Sequence, residues 1–195
     1  PLVLALSGRW RCFGAAAATT VGLAALTTLA FGPAIWPAFF GVIEQAREHL
    51  EGMPDYTMQS SLFAIARLLG LSPGVAHGVQ LVGSTLPAVV AVVLVARRRP
   101  GGAALGAVLV AAIPFASPYF YEYDTPMLAI PMAWLLGAAA RSGFRYGERS
   151  VLVLAFLSPL LGAVPHLIGN VVAFGAGAAL LGMVVRRAMK EESRT

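Results

Sequence analysis

The chain has 195 residues, of which 58% are hydrophobic and only 12% are charged, with a mean hydropathy of +0.76. A soluble domain carries about 25% charged residues, so the charges here are too few to cover a water-facing surface, and lipid must cover the rest. The formal net charge of +5 raises nucleic-acid binding. However, the basic residues sit in short clusters between apolar runs, as membrane topology signals do, and no RNA-binding signature goes with them. No nucleic-acid partner is expected. The single cysteine, Cys12, excludes an internal disulfide and a cysteine-based zinc site. Thirteen arginines against one lysine, with abundant alanine and glycine, point to a GC-rich bacterial gene. The chain opens on Pro1 without a basic, short-cored signal peptide; we expect one membrane domain over residues 1–195, a fragment of a longer protein.

Taken in order, residues 1–6 read as the tail of an earlier span. Residues 14–31 are uncharged and match the roughly 20 apolar residues that a crossing needs. Residues 33–73 read as external interfacial helices. There Trp36, Phe39, Phe40, Ile43 and Leu50 recur at helical spacing, while Glu44, Arg47, Glu48 and Glu51 take the other face. Such a helix lies in the interface with its apolar side down. The pairs Glu44–Glu48 and Arg47–Glu51 leave its polar face only partly self-neutralised. A second short helix is predicted over residues 59–69, with Ser60 and Arg67 on one face, stopped by Gly70, Ser72 and Pro73.

The transmembrane bundle is expected over residues 74–190. Residues 75–96 form a span ending at Arg97-Arg98-Arg99, and residues 102–117 and 125–140 are shorter spans suited to little tilt. Residues 150–185 run 36 positions without a charge, too long for one crossing, and Val164-Pro165-His166 is where they fold into two. The predicted class is therefore all-α, a polytopic bundle of about six transmembrane helices with an external amphipathic segment.

Charge placement supports this division. With Arg9 and Arg11 in the cytoplasm, six spans put twelve of the fourteen Lys/Arg inside and leave only Arg47 and Arg67 outside. Six of the nine acids (Glu44, Glu48, Glu51, Asp55, Glu122 and Asp124) fall outside. Had residues 150–185 been one helix, the last basic cluster would lie on the wrong side.

Candidate chemistry concentrates in Ser117-Pro118-Tyr119-Phe120-Tyr121-Glu122-Tyr123-Asp124. Tyrosines belong in interfacial aromatic belts, and Asp124 ahead of Thr125-Pro126 suits a helix N-cap. Clustered carboxylates and hydroxyls at a membrane face also suit a polyhydroxylated ligand or a divalent cation such as Mg or Mn. Arg67 could hold a phosphate through charge-assisted hydrogen bonds or snorkel to lipid headgroups. His49, His77 and His166 lack metal-ligand spacing, so no metal ligands are assigned. There is no phosphate-binding Gly-Lys-Ser/Thr loop, no dinucleotide fingerprint and no nucleophile elbow.

The run Gln59-Ser60-Ser61-Leu62-Phe63-Ala64-Ile65-Ala66-Arg67-Leu68-Leu69-Gly70, with Ala116-Ser117-Pro118-Tyr119 and Tyr123-Asp124 after it and Gly32-Pro33, Trp36 and Phe39 before it, resembles the C-terminal half of glycosyltransferase family 87. The resemblance covers residues 9–140. It implies a GT-C-type membrane enzyme that passes a sugar, mannose, from a polyprenyl-phosphate donor to a glycan or lipid acceptor outside the membrane. The enzyme would sit in the bacterial inner membrane with its site facing the periplasm. Asp124, Tyr123, Glu122, Tyr119, Gln59, Ser60 and Arg67 would line the substrate site. Such enzymes place the catalytic aspartate in a first external loop near the N-terminus. The catalytic residue is accordingly unassigned here and expected in a missing N-terminal region. Thr125-Pro126 departs from the family pattern. A transporter or flippase would bury ionisable groups in mid-span, where these spans have none; a non-catalytic scaffold is the third alternative.

Overall fold

The computed structural model describes residues 2–52, 56, 59–163 and 166–191. The described residues form an all-α membrane protein with no strand. Three helical stretches, Trp10–Phe31, Pro73–Arg97 and Leu167–Lys190, are long and apolar enough to cross a bilayer, and Gly102–Ala116 is apolar but shorter. The chain divides into two compact units, Pro1–Pro54 and Asp55–Thr195, which splits the 33–73 segment between them.

The first unit holds α1 (Leu2–Leu6), α2 (Trp10–Phe31) and α3 (Ile35–Gly52). No residue of α2 is buried, as expected of a helix that is apolar all round and faces lipid. Lipid offers its hydroxyls no partners. Thr19, Thr20 and Thr28 therefore donate to carbonyls four residues back, at 3.0, 2.9 and 2.8 Å. Gly32, at φ +78°, turns the chain out of α2. Beyond that turn the Trp36 indole donates to Thr28 Oγ1 at 2.9 Å and ties the start of α3 to the end of α2. The amphipathic pattern read from the sequence falls within α3, and Arg47 pairs with Glu51 at 2.7 Å. An exposed pair of this spacing is worth only about 0.3–0.5 kcal/mol.

The second unit begins with α4 (Leu62–Leu68) and α5 (Pro73–Gln80). A π-helical turn (Leu81–Thr85) leads into α6 (Leu86–Arg97), followed by α7 (Gly102–Ala116). A 3₁₀ turn (Glu122–Leu128) precedes α8 (Ala129–Ser142). Then come α9 (Glu148–Leu157), a second 3₁₀ turn (Ser158–Ala163) and α10 (His166–Glu191). Residues 150–185 are thus divided between two helices, as the charge pattern required. Val164 and Pro165 of the expected fold-back lie outside the described residues.

α4 packs against α5, α6 against α7 and α7 against α8, with α10 against α4, α6, α7, α8 and α9. This back-and-forth course gathers Arg97 to Arg99, Arg141, Arg145, Arg149, Arg186, Arg187 and Lys190 at one end and residues 59–70 and 119–124 at the other. Alanines 88, 104, 107, 111, 112, 138, 139, 155 and 176 are buried between the helices, and small side chains let backbones approach in lipid.

Two local features position the site. α4 ends in a Schellman motif: Gly70 at φ +82° donates to Arg67 O, and Leu71 N to Ala66 O, both at 3.0 Å. Ser72 and Pro73 then start α5. The π turn lies just ahead of Pro87. Proline has no N–H for the Gly83 carbonyl and its ring clashes there, which favours local widening. The widened turn points Ser84 and Thr85 at the end of α7. There they donate to Phe115 O at 3.0 and 3.1 Å and satisfy a carbonyl that the helix end leaves open.

At the arginine end, Arg187 and Glu148 form a buried ion pair, each side chain 1% exposed. Arg187 donates from Nε to Glu148 Oε1 and from Nη2 to Oε2, both at 2.9 Å. It also donates to Ser142 Oγ at 2.9 Å and Gly143 O at 2.7 Å. The α8–α9 loop is thereby clasped to α10. Burial pushes the Glu148 carboxyl up. The Arg145 N–H bond, the Arg187 hydrogen bond and the two guanidinium charges outweigh it and hold the carboxyl below its ordinary value.

Candidate functional site

The residues before α4 do not belong to it. The sequence predicts a helix from residue 59, but α4 starts at Leu62 with Ser61 as its N-cap, accepting from Ala64 N at 3.1 Å. Gln59 and Ser60 are drawn into pairing with the strand-like residues 120–121. Gln59 faces Tyr121 in an antiparallel bridge, and Ser60 N donates to Phe120 O at 2.9 Å. Ser61 Oγ also donates to Pro118 O at 2.7 Å. Backbone pairing with a segment some sixty residues away outweighs the local helical preference. Ser60 and Arg67 therefore do not share a helix face.

Asp124 does not act as an N-cap for the residues that follow it. Its Oδ2 accepts from Tyr121 N at 3.2 Å, behind it in the chain, while Asp124 N donates to Tyr121 O at 3.0 Å. The Thr125-Pro126 step runs through a 3₁₀ turn, and the α-helix begins only at Ala129.

The seven candidate residues fall into three settings, all in the second unit. In the first, Gln59 is 1% exposed and donates from Nε2 to Tyr121 Oη at 3.2 Å. Its Oε1 is buried and has no donor among the described residues. The rings of Tyr121 and Tyr123 stack at 5.0 Å and 9°, and Asp124 Oδ2 is held by Tyr121 N–H. Partial desolvation, then the Asp124 carboxylate, push the Tyr123 phenol above its ordinary value, so its hydroxyl stays protonated.

In the second setting, Ser60 and Glu122 line one cavity of ≈ 20 Å³ with Thr125, Ser158 and the rings of Phe115, Phe120 and Phe174. That is room for about one water. At the start of the 3₁₀ turn, Glu122 thus lines an aromatic-walled recess while Tyr121 and Tyr123 stack on each other.

In the third, Arg67 donates from Nε to Tyr56 Oη at 3.1 Å and from Nη1 to Leu71 O at 2.7 Å. Among the described residues, these bonds use two of its five N–H donors. Tyr56 packs edge-on against Phe63 at 5.9 Å, and Tyr119 against Phe63 at 5.7 Å, with His77 4.6 Å from the Phe63 ring. Tyr119 belongs to this aromatic cluster, not to the stacked pair. Among the described residues no three His, Cys, Asp or Glu side chains converge, so these residues do not by themselves form a site for the divalent cation.

Sequence reasoning passed over Gln80 and Asn170. Gln80, 3% exposed, accepts from Phe63 N at 3.1 Å and donates to Phe115 O and Ser117 O, both at 3.2 Å. Asn170 donates to Tyr56 O at 3.3 Å. Each is an uncharged amide within a predicted span, and that was the available signal.

Compared with known proteins, residues 1–118 match glycosyltransferase family 87. The chain belongs to this family. No curated protein and no solved structure matches it. Membership in glycosyltransferase family 87 makes this a membrane-embedded glycosyltransferase. The matched region takes in Gln59, Ser60 and Arg67 and ends just before Tyr119, so the tyrosine–acid run is joined to the family region by its contacts with Gln59, Ser60 and Ser61.

Proposed function

We propose that the protein transfers a sugar, mannose, from a polyprenyl-phosphate donor to a glycan or lipid acceptor on the periplasmic side of a bacterial inner membrane, as a GT-C-type enzyme. The observation that carries this reading is the family match over residues 1–118, because the matched residues Gln59 and Ser60 pair directly with the tyrosine–acid run. Charge placement supports the orientation: the arginine end is the end that the positive-inside rule retains in the cytoplasm, which leaves the site end outside.

In this reaction the bond from the sugar's anomeric carbon to the donor phosphate breaks. The acceptor hydroxyl bonds that carbon, its proton passes to a carboxylate, and polyprenyl phosphate departs. Arg67, with its remaining N–H donors, suits the departing phosphate. Asp124 and Tyr123 contact the sugar, and Glu122, Tyr119, Gln59 and Ser60 form the substrate site's supporting wall. Asp124 serves as a binding carboxylate in this scheme, because Tyr121 N–H fixes one of its oxygens and leaves the other for a hydroxyl.

The test is transfer from labelled polyprenyl-phosphate-mannose, beside other lipid-linked sugars, by membranes holding the intact protein. Asp124→Ala is expected to abolish transfer while the variant still inserts. A wild-type rate in that variant would remove Asp124 from the site. No transfer from any lipid-linked sugar by the wild type would overturn the donor assignment.

A further inference from the structure

The stacked tyrosines differ from ordinary interfacial tyrosines in how they are held. A belt tyrosine sends its hydroxyl to the headgroups and packs its ring on lipid. Tyr121 instead turns its hydroxyl inward to the buried amide of Gln59, and its backbone is pinned by the bridge to Gln59 and by Asp124 Oδ2. Tyr123 lies flat on it, rings 5.0 Å apart and 9° from parallel, and is 71% exposed. One face of Tyr123 is therefore covered by a fixed ring and the other is open, with the Asp124 carboxylate alongside.

We infer that the Tyr121–Tyr123 stack is a platform for a sugar ring: the open face of Tyr123 takes the C–H face of a pyranose, and Asp124 accepts a hydrogen bond from one of its hydroxyls. An aromatic face is electron-rich and attracts the weakly positive C–H bonds on the apolar side of a sugar. A carboxylate accepts from hydroxyl donors at the sugar's edge. Gln59 acts as a positioning residue: it fixes Tyr121 and so the tilt of the ring above. This inference rests on the glycosyl-transfer reading and adds to it the place where a sugar is held. The pyranose could come from the acceptor or from the donor headgroup.

The experiment uses the full-length protein in nanodiscs, with Tyr123→Ala, Tyr123→Phe and Tyr123→Trp, each first shown to unfold at the wild-type temperature. KM is measured separately for acceptor and donor. Tyr123→Ala should raise the KM of one of them about 3–10-fold, the loss of one aromatic contact, with kcat little changed. Tyr123→Phe, which keeps the ring, should move that KM less than Tyr123→Ala does, and Tyr123→Trp should be at least as tight. The substrate whose KM moves identifies the source of the sugar. Wild-type KM values for both substrates in Tyr123→Ala would overturn the platform while leaving the transferase reading intact. An activity-free measurement separates the two ideas: saturation transfer to the ring protons of methyl α-mannoside should be seen with the wild type and lost in Tyr123→Ala. Absence of that signal in the wild type overturns the platform whatever the turnover.

Discussion

The two ends of the second unit hold their polar groups in opposite ways. At the arginine end, Arg187 spends its guanidinium on Glu148, Ser142 and Gly143, and Glu148 also accepts from Arg145 N at 2.8 Å. The Arg187–Glu148 pair is closed on itself, two buried charges satisfying each other, while Arg145 Nη1 in the same cluster is buried with no acceptor among the described residues. At the site end the groups are less fully used: among the described residues the buried Gln59 keeps an oxygen without a donor, the part-exposed Asp124 accepts from Tyr121 N through one oxygen, and the part-exposed Glu122 lines a cavity. A charged pair closed on itself serves the architecture; the site end instead presents polar groups to a recess and to the surface, where further hydrogen bonds can form.

Opening the clasp should have the largest effect. Glu148→Ala leaves Arg187 buried without its carboxylate and should lower stability by about 3–5 kcal/mol in detergent unfolding. The double change Glu148→Leu with Arg187→Met should recover most of that, since a well-packed apolar pair often replaces a buried ion pair without loss. A double variant as unstable as the single would show that the charges, not the filled space, hold the loop.

Gln80→Ala should come next. It strands Phe63 N and takes a donor from Ser117 O, while Phe115 O keeps Ser84 and Thr85, and a buried group left unsatisfied costs about 1–3 kcal/mol. Because Gln80 supports the site end alone, this loss should appear with a raised KM. Equal losses at both ends, read by hydrogen exchange, would contradict the contrast drawn here.

The smallest effect is with pH. The folded Glu148 carboxyl sits below its ordinary value, so it adds stability that is present above the unfolded carboxyl's range and fades as pH falls through the folded value. Unfolding temperature should drop at the acidic end of a pH series, and the part of that drop due to Glu148 should be missing in Glu148→Gln.

Much of the fold was legible because lipid imposes strict rules. Uncharged length and the arginine clusters located the helices, and the charge count required residues 150–185 to fold back. Gly70, Ser72 and Pro73 acted locally, so their stop signal was read correctly. What stayed hidden depended on distant partners. Nothing near Gln59 or Ser60 announces that residues 120–121 will pair with them and hold them out of α4. Nor does the sequence show that Glu122 turns from its neighbours into a separate cavity. Arg187 read as a topology charge, and only the approach of Glu148 from another helix makes it a buried ion.

The hydrogen bond from Gln59 to Tyr121 spans 62 positions of chain, and this sets an order on biogenesis. When Gln59 leaves the ribosome, its partner has not been made, and α5, α6 and α7 must be inserted before the two can meet. Until then the Gln59 amide can be satisfied only by water or headgroups, so the site cannot assemble before α7 is in place. A chain arrested before Tyr121 could hold its first helices in the bilayer and still lack any place to grip a sugar.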